Sequence, residues 1–322
     1  MLTVMLLCGG ISCCVGRYPL TLADLWNICI GGIEDAMKTN VFLKIRLPRT
    51  VFAGITGASL SISGLVYQEL FRNPLVSPDV LGVGGGASVG AVAAIVCGGG
   101  IIAVRGSALA GGLLAVAAAL FLARLIGSGR ADSLGSQRTV GMVLSGIVVK
   151  ALADAAVMAL KYTADPSRQL PSIDYWMMGS LQNIRWAEVL YVLPFALVPL
   201  GVLYLMRWRI QVMSFGDDEA KSLGIPTGAV KIICVAAACI PAAAGTAVTG
   251  VISWAGLIVP HMVRRFSGEG LTKNFSLCGL TGASFMMLTD MLARSLTAAE
   301  IPISILTSAA GAVFLLGVLS KH

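Results

Sequence analysis

Apolar residues in this chain fall in long unbroken runs and not in strict alternation. The runs lie at about 1–16, 50–70, 80–99, 101–126, 140–160, 187–206, 230–250, 252–263, 275–292 and 301–320. Barrel strands would show roughly ten-residue stretches of alternating character. Runs near ~20 residues instead fit helices that cross a hydrocarbon core about 30 Å thick. The pattern predicts an all-α membrane protein with about ten transmembrane helices. An even number of crossings puts both termini on one side. The eighth run is short, bounded by Trp254 and by His261 to Arg265. It reads as a half-length or tilted element. The first run has no basic n-region and no A-x-A site, so it reads as a spanning helix and not as a leader.

Composition agrees with this pattern. Of 322 residues, 57% are hydrophobic and only 12% charged, against roughly 25% charged in soluble domains. Mean hydropathy is +0.86. The net charge of +7 reads as loop lysines and arginines at the membrane surface. No basic stretch with interleaved aromatics points to nucleic acid. Basic residues divide almost evenly between the two sides, so charge bias leaves orientation open. Something retains basic residues outside, notably Arg46, Arg49 and Arg294.

Catalytic chemistry is not visible. Seven of the eight cysteines sit in apolar runs, where Cys behaves as a small hydrophobe. There is no C-x-x-C and no Cys/His spacing, so no metal site and no cofactor are expected. His261 is the only non-terminal histidine and reads as a hydrogen-bonded structural residue. Paired carboxylates and nucleophile constellations are lacking, and the chain is not expected to be an enzyme. No Walker A motif occurs, so any ATP is hydrolysed by another chain. No soluble domain fits, and residues 1–322 read as one transmembrane domain.

The stretch "LGVGGGASVG" (Leu81 to Gly90) matches G-x-G-x-x-A. A dinucleotide site would need a preceding strand and an acidic residue about 20 positions on. Neither is present. Gly82, Gly86 and Gly90 instead recur every four residues, which puts them on one helix face. In lipid, such a face lets two helices approach closely.

Three polar stretches carry further signal. In "FRNPLVSPD", Pro74 and Pro78 force extended geometry on Asn73 and Ser77. This is either a connecting turn or a re-entrant loop lining a water-filled path. Lys150 and Asp154, at i and i+4 within an apolar run, share a face and read as a mutual pair. "FGDDEAKSLGIP" cannot enter hydrocarbon. Gly224 and Pro226 end a short helical turn there, inside a polar loop at about 207–230.

Read together, several stretches resemble the FecCD-type permeases, the membrane subunits of importers for iron–siderophore, haem and vitamin B12. The first is "IRLPRTVFAGITGASLSISGLVYQELFRNPLVSPDVLGVGGGASVG". "DYWMMGSL", "FGDDEAKSLGIP", "GVISWAGLIVPHMVRR" and "TDMLARSLTAAEIPISILTSAAGAVFLL" follow in the same order. Residues 1–40 and about 100–138 carry little of it.

The resemblance implies the ABC importer permease fold of the vitamin B12/iron-siderophore type. It implies a prokaryotic inner-membrane location with cytoplasmic termini. Implied partners are two ATP-binding cassette ATPase subunits, an extracytoplasmic substrate-binding protein, and a second permease copy or a sister permease. The cargo would be a metal chelate, ferric siderophore first, then haem or cobalamin. By the same resemblance, Arg46, Arg49 and Arg294 dock the binding protein. Asn73, Leu75 and Thr139 form a cytoplasmic gate. Asp218, Glu219, Ala220 and Gly224 couple to the ATPase, with Lys221 standing where the family's E-A-A pattern has its second alanine. The competing expectation is an ion-coupled secondary transporter of a small solute, for which Lys150 and Asp154 are the ionisable candidates.

Overall fold

The computed structural model describes residues 1–16, 18–32, 35–128, 135–297 and 299–320. Within these, only the backbone is described at 29, 127, 128, 135–139, 318 and 319. All regular structure among the described residues is helical. In chain order the helices are α1 (Leu2–Cys14), α2 (Leu22–Cys29), α3 (Ala36–Asn40) and α4 (Leu47–Phe71). Then come α5 (Val83–Val96), α6 (Ile101–Ser128), α7 (Gly135–Thr163), α8 (Gln169–Met178), α9 (Trp186–Phe215) and α10 (Asp217–Ser222). The last are α11 (Thr227–Thr249), α12 (Ala255–Ser267), α13 (Leu271–Ser295) and α14 (Ile303–Leu319).

Six helical stretches are long and apolar enough to cross a bilayer: Ala36–Phe71, Ile101–Ile126, Val140–Thr163, Trp186–Phe215, Thr227–Thr249 and Leu271–Ser295. The shorter α1, α5, α12 and α14 complete the ten predicted runs. Two boundaries differ from expectation. The second spanning helix begins well before residue 50, because a π-helical turn at Val41–Arg46 joins α3 to α4. Arg46 and Arg49 therefore lie within a helix. The polar loop expected at about 207–230 shrinks to the ends of α10, because α9 runs to Phe215 and α11 starts at Thr227.

Ahead of this, α2 opens on a capping box between Thr21 and Asp24. Lys38 donates to Asp24 at 2.7 Å. That hydrogen bond, with those from Thr21, brings the Asp24 carboxyl down to about 2.

Helix α4 is the central strut, flanked by α9, α11, α12 and α13. Small residues let it sit close. A Cβ at Gly57 would run into the Gly282 carbonyl of α13, and one at Gly64 into the Gly256 carbonyl of α12. The same device joins α5 to α6. A Cβ at Gly86 would strike the Gly111 carbonyl, and one at Gly90 the Ser107 carbonyl. Without a hydrophobic drive between helices in lipid, such close backbone contact supplies the packing energy. Gly82 differs from its two successors. It is the left-handed N-cap of α5, at φ +83°.

The end of α1 and the start of α14 meet at one end of the bundle. The C-terminal turn of α1 meets Arg46 and Arg294, and α14 begins beside Ala293, whose carbonyl accepts from Ile301. Both helices then extend toward the end that carries α10.

Candidate functional site

Three clusters of polar residues stand out along the long axis, one at each end and one between.

At the end away from α10, Arg49 divides its guanidinium between two carboxylates. Nε donates to Asp290 at 2.8 Å, and Nη1 and Nη2 grip Glu300 at 3.1 and 2.9 Å. Arg294 lies 3.5 Å from Asp290 and donates to the Ser12 hydroxyl at 2.8 Å and to the Ser12 carbonyl. Arg46 donates to the carbonyls of Cys13 at 2.7 Å and Cys14 at 2.6 Å, and to that of Tyr18. It thereby satisfies orphan carbonyls at the end of α1. The cluster pins α1, α4, α13 and the α13–α14 connection together.

The three arginines expected to dock a binding protein are thus all bonded within the chain. Arg46, Arg49 and Arg294 are only 4%, 5% and 8% exposed. A guanidinium at a helix end in a low-dielectric setting needs carboxylate and carbonyl partners, and the chain supplies them itself. The i,i+4 pair Asp290/Arg294 was readable in "TDMLAR". The Arg49 partners were not, since they lie over 240 positions away in sequence.

At the opposite end, α4 stops at Arg72, which adopts a left-handed conformation at φ +47°. Asn73 Oδ1 then accepts from Leu75 N–H at 2.9 Å, forming a tight Asx turn. Leu75 is 58% exposed. His261 Nε2 lies 3.1 Å from the Pro74 carbonyl, which ties α12 to this turn. Arg264 reaches Glu69 at 3.5 Å and also bonds Gln68. Thr139 belongs to α7, but its side chain lies outside the described residues.

Next to this turn sits α10. Asp217 is buried and pairs with Lys231 of α11 at 2.6 Å and with Arg72 at 3.4 Å. Sequence reasoning overlooked this residue among the acids of the loop. Ala220 is fully buried, whereas Asp218, Glu219, Lys221 and Leu223 are exposed. Gly224, at φ +76°, closes the helix. Ile225 N–H bonds the Ala220 carbonyl and Gly224 N–H the Lys221 carbonyl, which is a Schellman motif. The short helix is thus anchored on one side and presents a polar face on the other.

Between the ends, two stretches leave regular α-helix. One is Ser77–Gly82 around the 3₁₀ turn Pro78–Leu81. The other is Gly250–Trp254, ahead of α12, where Trp254 holds φ +70°. They line a common cavity of about 250 Å³ with Asp79, Gly84, Thr246 and Ser253 on its wall. Beside it, Lys150 lies 3.6 Å from Asp154 and 3.8 Å from Asp79. The first contact is the predicted pair, and the second brings in a partner that the spacing did not suggest. No group of three or more His, Cys, Asp or Glu suited to a metal occurs among the described residues.

Comparison with known proteins gives a consistent picture. A family model described as the FecCD transport family matches residues 3–321. An iron chelatin transport system permease protein from Helicobacter pylori is 35% identical, covering 99% of this chain and 94% of its own length. The molybdate import system permease MolB of Haemophilus influenzae is 36% identical, over 96% and 90%. The hemin transport system permease HmuU of Yersinia pestis is 34% identical, over 100% and 94%. A solved structure described as an inward-facing metal-chelate type ABC transporter superposes with a TM-score of 0.87 at 33% identity. It covers 99% of this chain and 97% of that one.

Proposed function

Because this chain belongs to the FecCD transport family, we propose that it carries ferric siderophore, with haem or cobalamin as the next candidates, through a path between two permease copies. The chain is a multi-pass membrane permease of an ABC importer for metal chelates or related substrates, and it is not an enzyme. Relatives of nearly equal identity are named for iron chelatin, molybdate and hemin. The choice of cargo therefore rests on chemistry beyond overall likeness.

The observation that carries the mechanism is the Asp217 node. One buried carboxylate joins α10, the base of α11 and Arg72 at the head of the Asn73–Leu75 turn. In this reading α10 docks in a groove on an ATPase subunit through Asp218, Glu219 and Lys221. Ala220 and Gly224 fix its seat and its end. A tilt of α10 on ATP-driven closure reaches the turn through Asp217 and Arg72 as a rigid-body switch. Asn73 and Leu75, with Thr139, narrow the cytoplasmic mouth. The end carrying α10 and both termini then faces the cytoplasm.

The opposite end faces the substrate-binding protein. Arg46, Arg49 and Arg294 serve there chiefly as a brace that sets the shape of the docking surface. Glu300 is the partly exposed member of the cluster, at 21%. A homodimer with two ATPase subunits and one binding protein completes the assembly.

The test is reconstitution of the permease with its ATPase subunits and binding protein in liposomes. Chelate accumulation that requires ATP supports the reading. Accumulation that persists without ATP, driven by an ion gradient, overturns it in favour of secondary transport.

A further inference from the structure

The charged cluster between the two ends has a depth and an exposure that conflict with contact to lipid. Lys150 lies ten residues into the apolar stretch Val140–Thr163. At the helical rise this is about 15 Å from its start, near the middle of a bilayer core. Yet the side chains of Asp79, Lys150 and Asp154 are 50%, 41% and 54% exposed in the single chain. Three charged groups open to acyl chains at this depth are prohibitively costly, so such groups face water or protein.

A second observation points the same way. The wall beside the cluster is non-helical backbone from two separate stretches, Ser77–Gly82 and Gly250–Trp254, and the cavity between them carries Ser77, Thr246 and Ser253. Unwound backbone is tolerated at membrane depth only where it is enclosed by protein or lines water. Two interrupted segments meeting at one cavity are also the usual geometry of a passage point for solute. Asp79 belongs to both features. Its Oδ1 accepts from Gly84 N–H at 3.1 Å on the cavity side, and its Oδ2 faces Lys150 at 3.8 Å.

We propose that Asp79, Lys150 and Asp154 line the water-filled translocation path at mid-membrane depth and form a net-negative waypoint in it. The waypoint passes neutral and cationic chelates and holds back free oxyanions. Two carboxylates stand against one ammonium, which leaves one negative charge per chain. In a narrow channel with low-dielectric walls this charge is focused, not screened. The cargo part of the proposal rests on the importer reading above. The water-facing and charge-selective part does not.

The experiment uses the full permease assembled with its ATPase subunits in native membranes. Ala151, exposed and three residues before Asp154, is replaced in an Ala151→Cys variant. Labelling by a cationic and an anionic methanethiosulfonate of similar size is compared, with the parent chain and its own cysteines as the blank. The cationic reagent is expected to react roughly tenfold faster, the low end of electrostatic focusing in a charged cleft. In an Asp79→Asn/Asp154→Asn background the two rates should converge. Asparagine at 79 keeps the acceptor oxygen for Gly84 N–H, so the turn is retained. Ala155→Cys, one turn further, is the second reporter. No labelling by either reagent would place this face against lipid or packed protein and overturn the proposal. Equal rates beside the intact cluster would overturn its charge-selective part. A parallel uptake assay compares a cationic ferric trihydroxamate with molybdate. Preference for molybdate contradicts the cargo assignment, whereas loss of all ATP-dependent uptake with the labelling pattern intact would count against the importer reading alone.

Discussion

Arg46, Arg49 and Arg294 are buried and bonded to partners within the chain. Arg49 holds the carboxylates of Asp290 and Glu300, and Arg294 also reaches Asp290. Arg49→Ala should therefore cost about 3–5 kcal/mol, the usual loss when one partner of a buried pair is removed. The readout is the folded fraction and melting temperature of the purified permease. Glu300→Gln should cost much less, because Glu300 alone in the cluster reaches solvent and its amide still accepts. Arg294→Glu would set a third carboxylate beside Asp290, and loss of folded protein is expected. If that variant instead folds normally and loses only binding-protein affinity, Arg294 acts by direct docking and the brace reading is wrong. Proximity along the chain made Lys150/Asp154 visible as a pair, and the same i,i+4 spacing of Asp290/Arg294 went unread. Arg49–Glu300 and Lys150–Asp79 were invisible, because nothing local brings those groups together.

At the scale of single elements, α10 and the α5–α6 contact make separate predictions. Gly224→Val puts a β-branched residue at positive φ, which costs about 1–2 kcal/mol, and opens the Schellman closure. The expected result is preserved ATPase assembly with less substrate moved per ATP hydrolysed. Unchanged stoichiometry would count against α10 as the coupling element. Gly90→Leu drives a side chain into the Ser107 carbonyl. It should lower stability by roughly 1–3 kcal/mol, as overpacking does, visible as a lower melting temperature in detergent. The four-residue glycine spacing announced this contact, because helix periodicity is a local property. Gly82 adds a left-handed cap to the helix, and a Cβ there would still meet Val149 of α7 and Ala115 of α6. The proline-flanked turn at 73–78 left two readings open in the sequence. Its neighbours come from two distant segments, His261 and Arg264 from α12 and Asp217 from the start of α10.

Across the described residues, α10 and the Asn73–Leu75 turn lie at one end of the helix bundle and the arginine cluster at the other. The cavity walled by two unwound stretches lies between them. The apolar runs determined the helical class, because long runs without alternation fit helices, which satisfy their own backbone inside a bilayer. The ordered stretches at residues 45–90, 174–181, 215–226, 250–265 and 289–316 were enough to identify the family. What the sequence could not determine was which charges are available to a partner. Whether an arginine is spent internally depends on carboxylates brought to it by helices hundreds of residues apart, and that is a property of packing alone. The tertiary structure likewise decided that Asp217 joins α10 to α11 and to Arg72 at the head of the Asn73–Leu75 turn. It also placed Asp79 beside Lys150, where helices and unwound segments from distant parts of the chain meet at one depth.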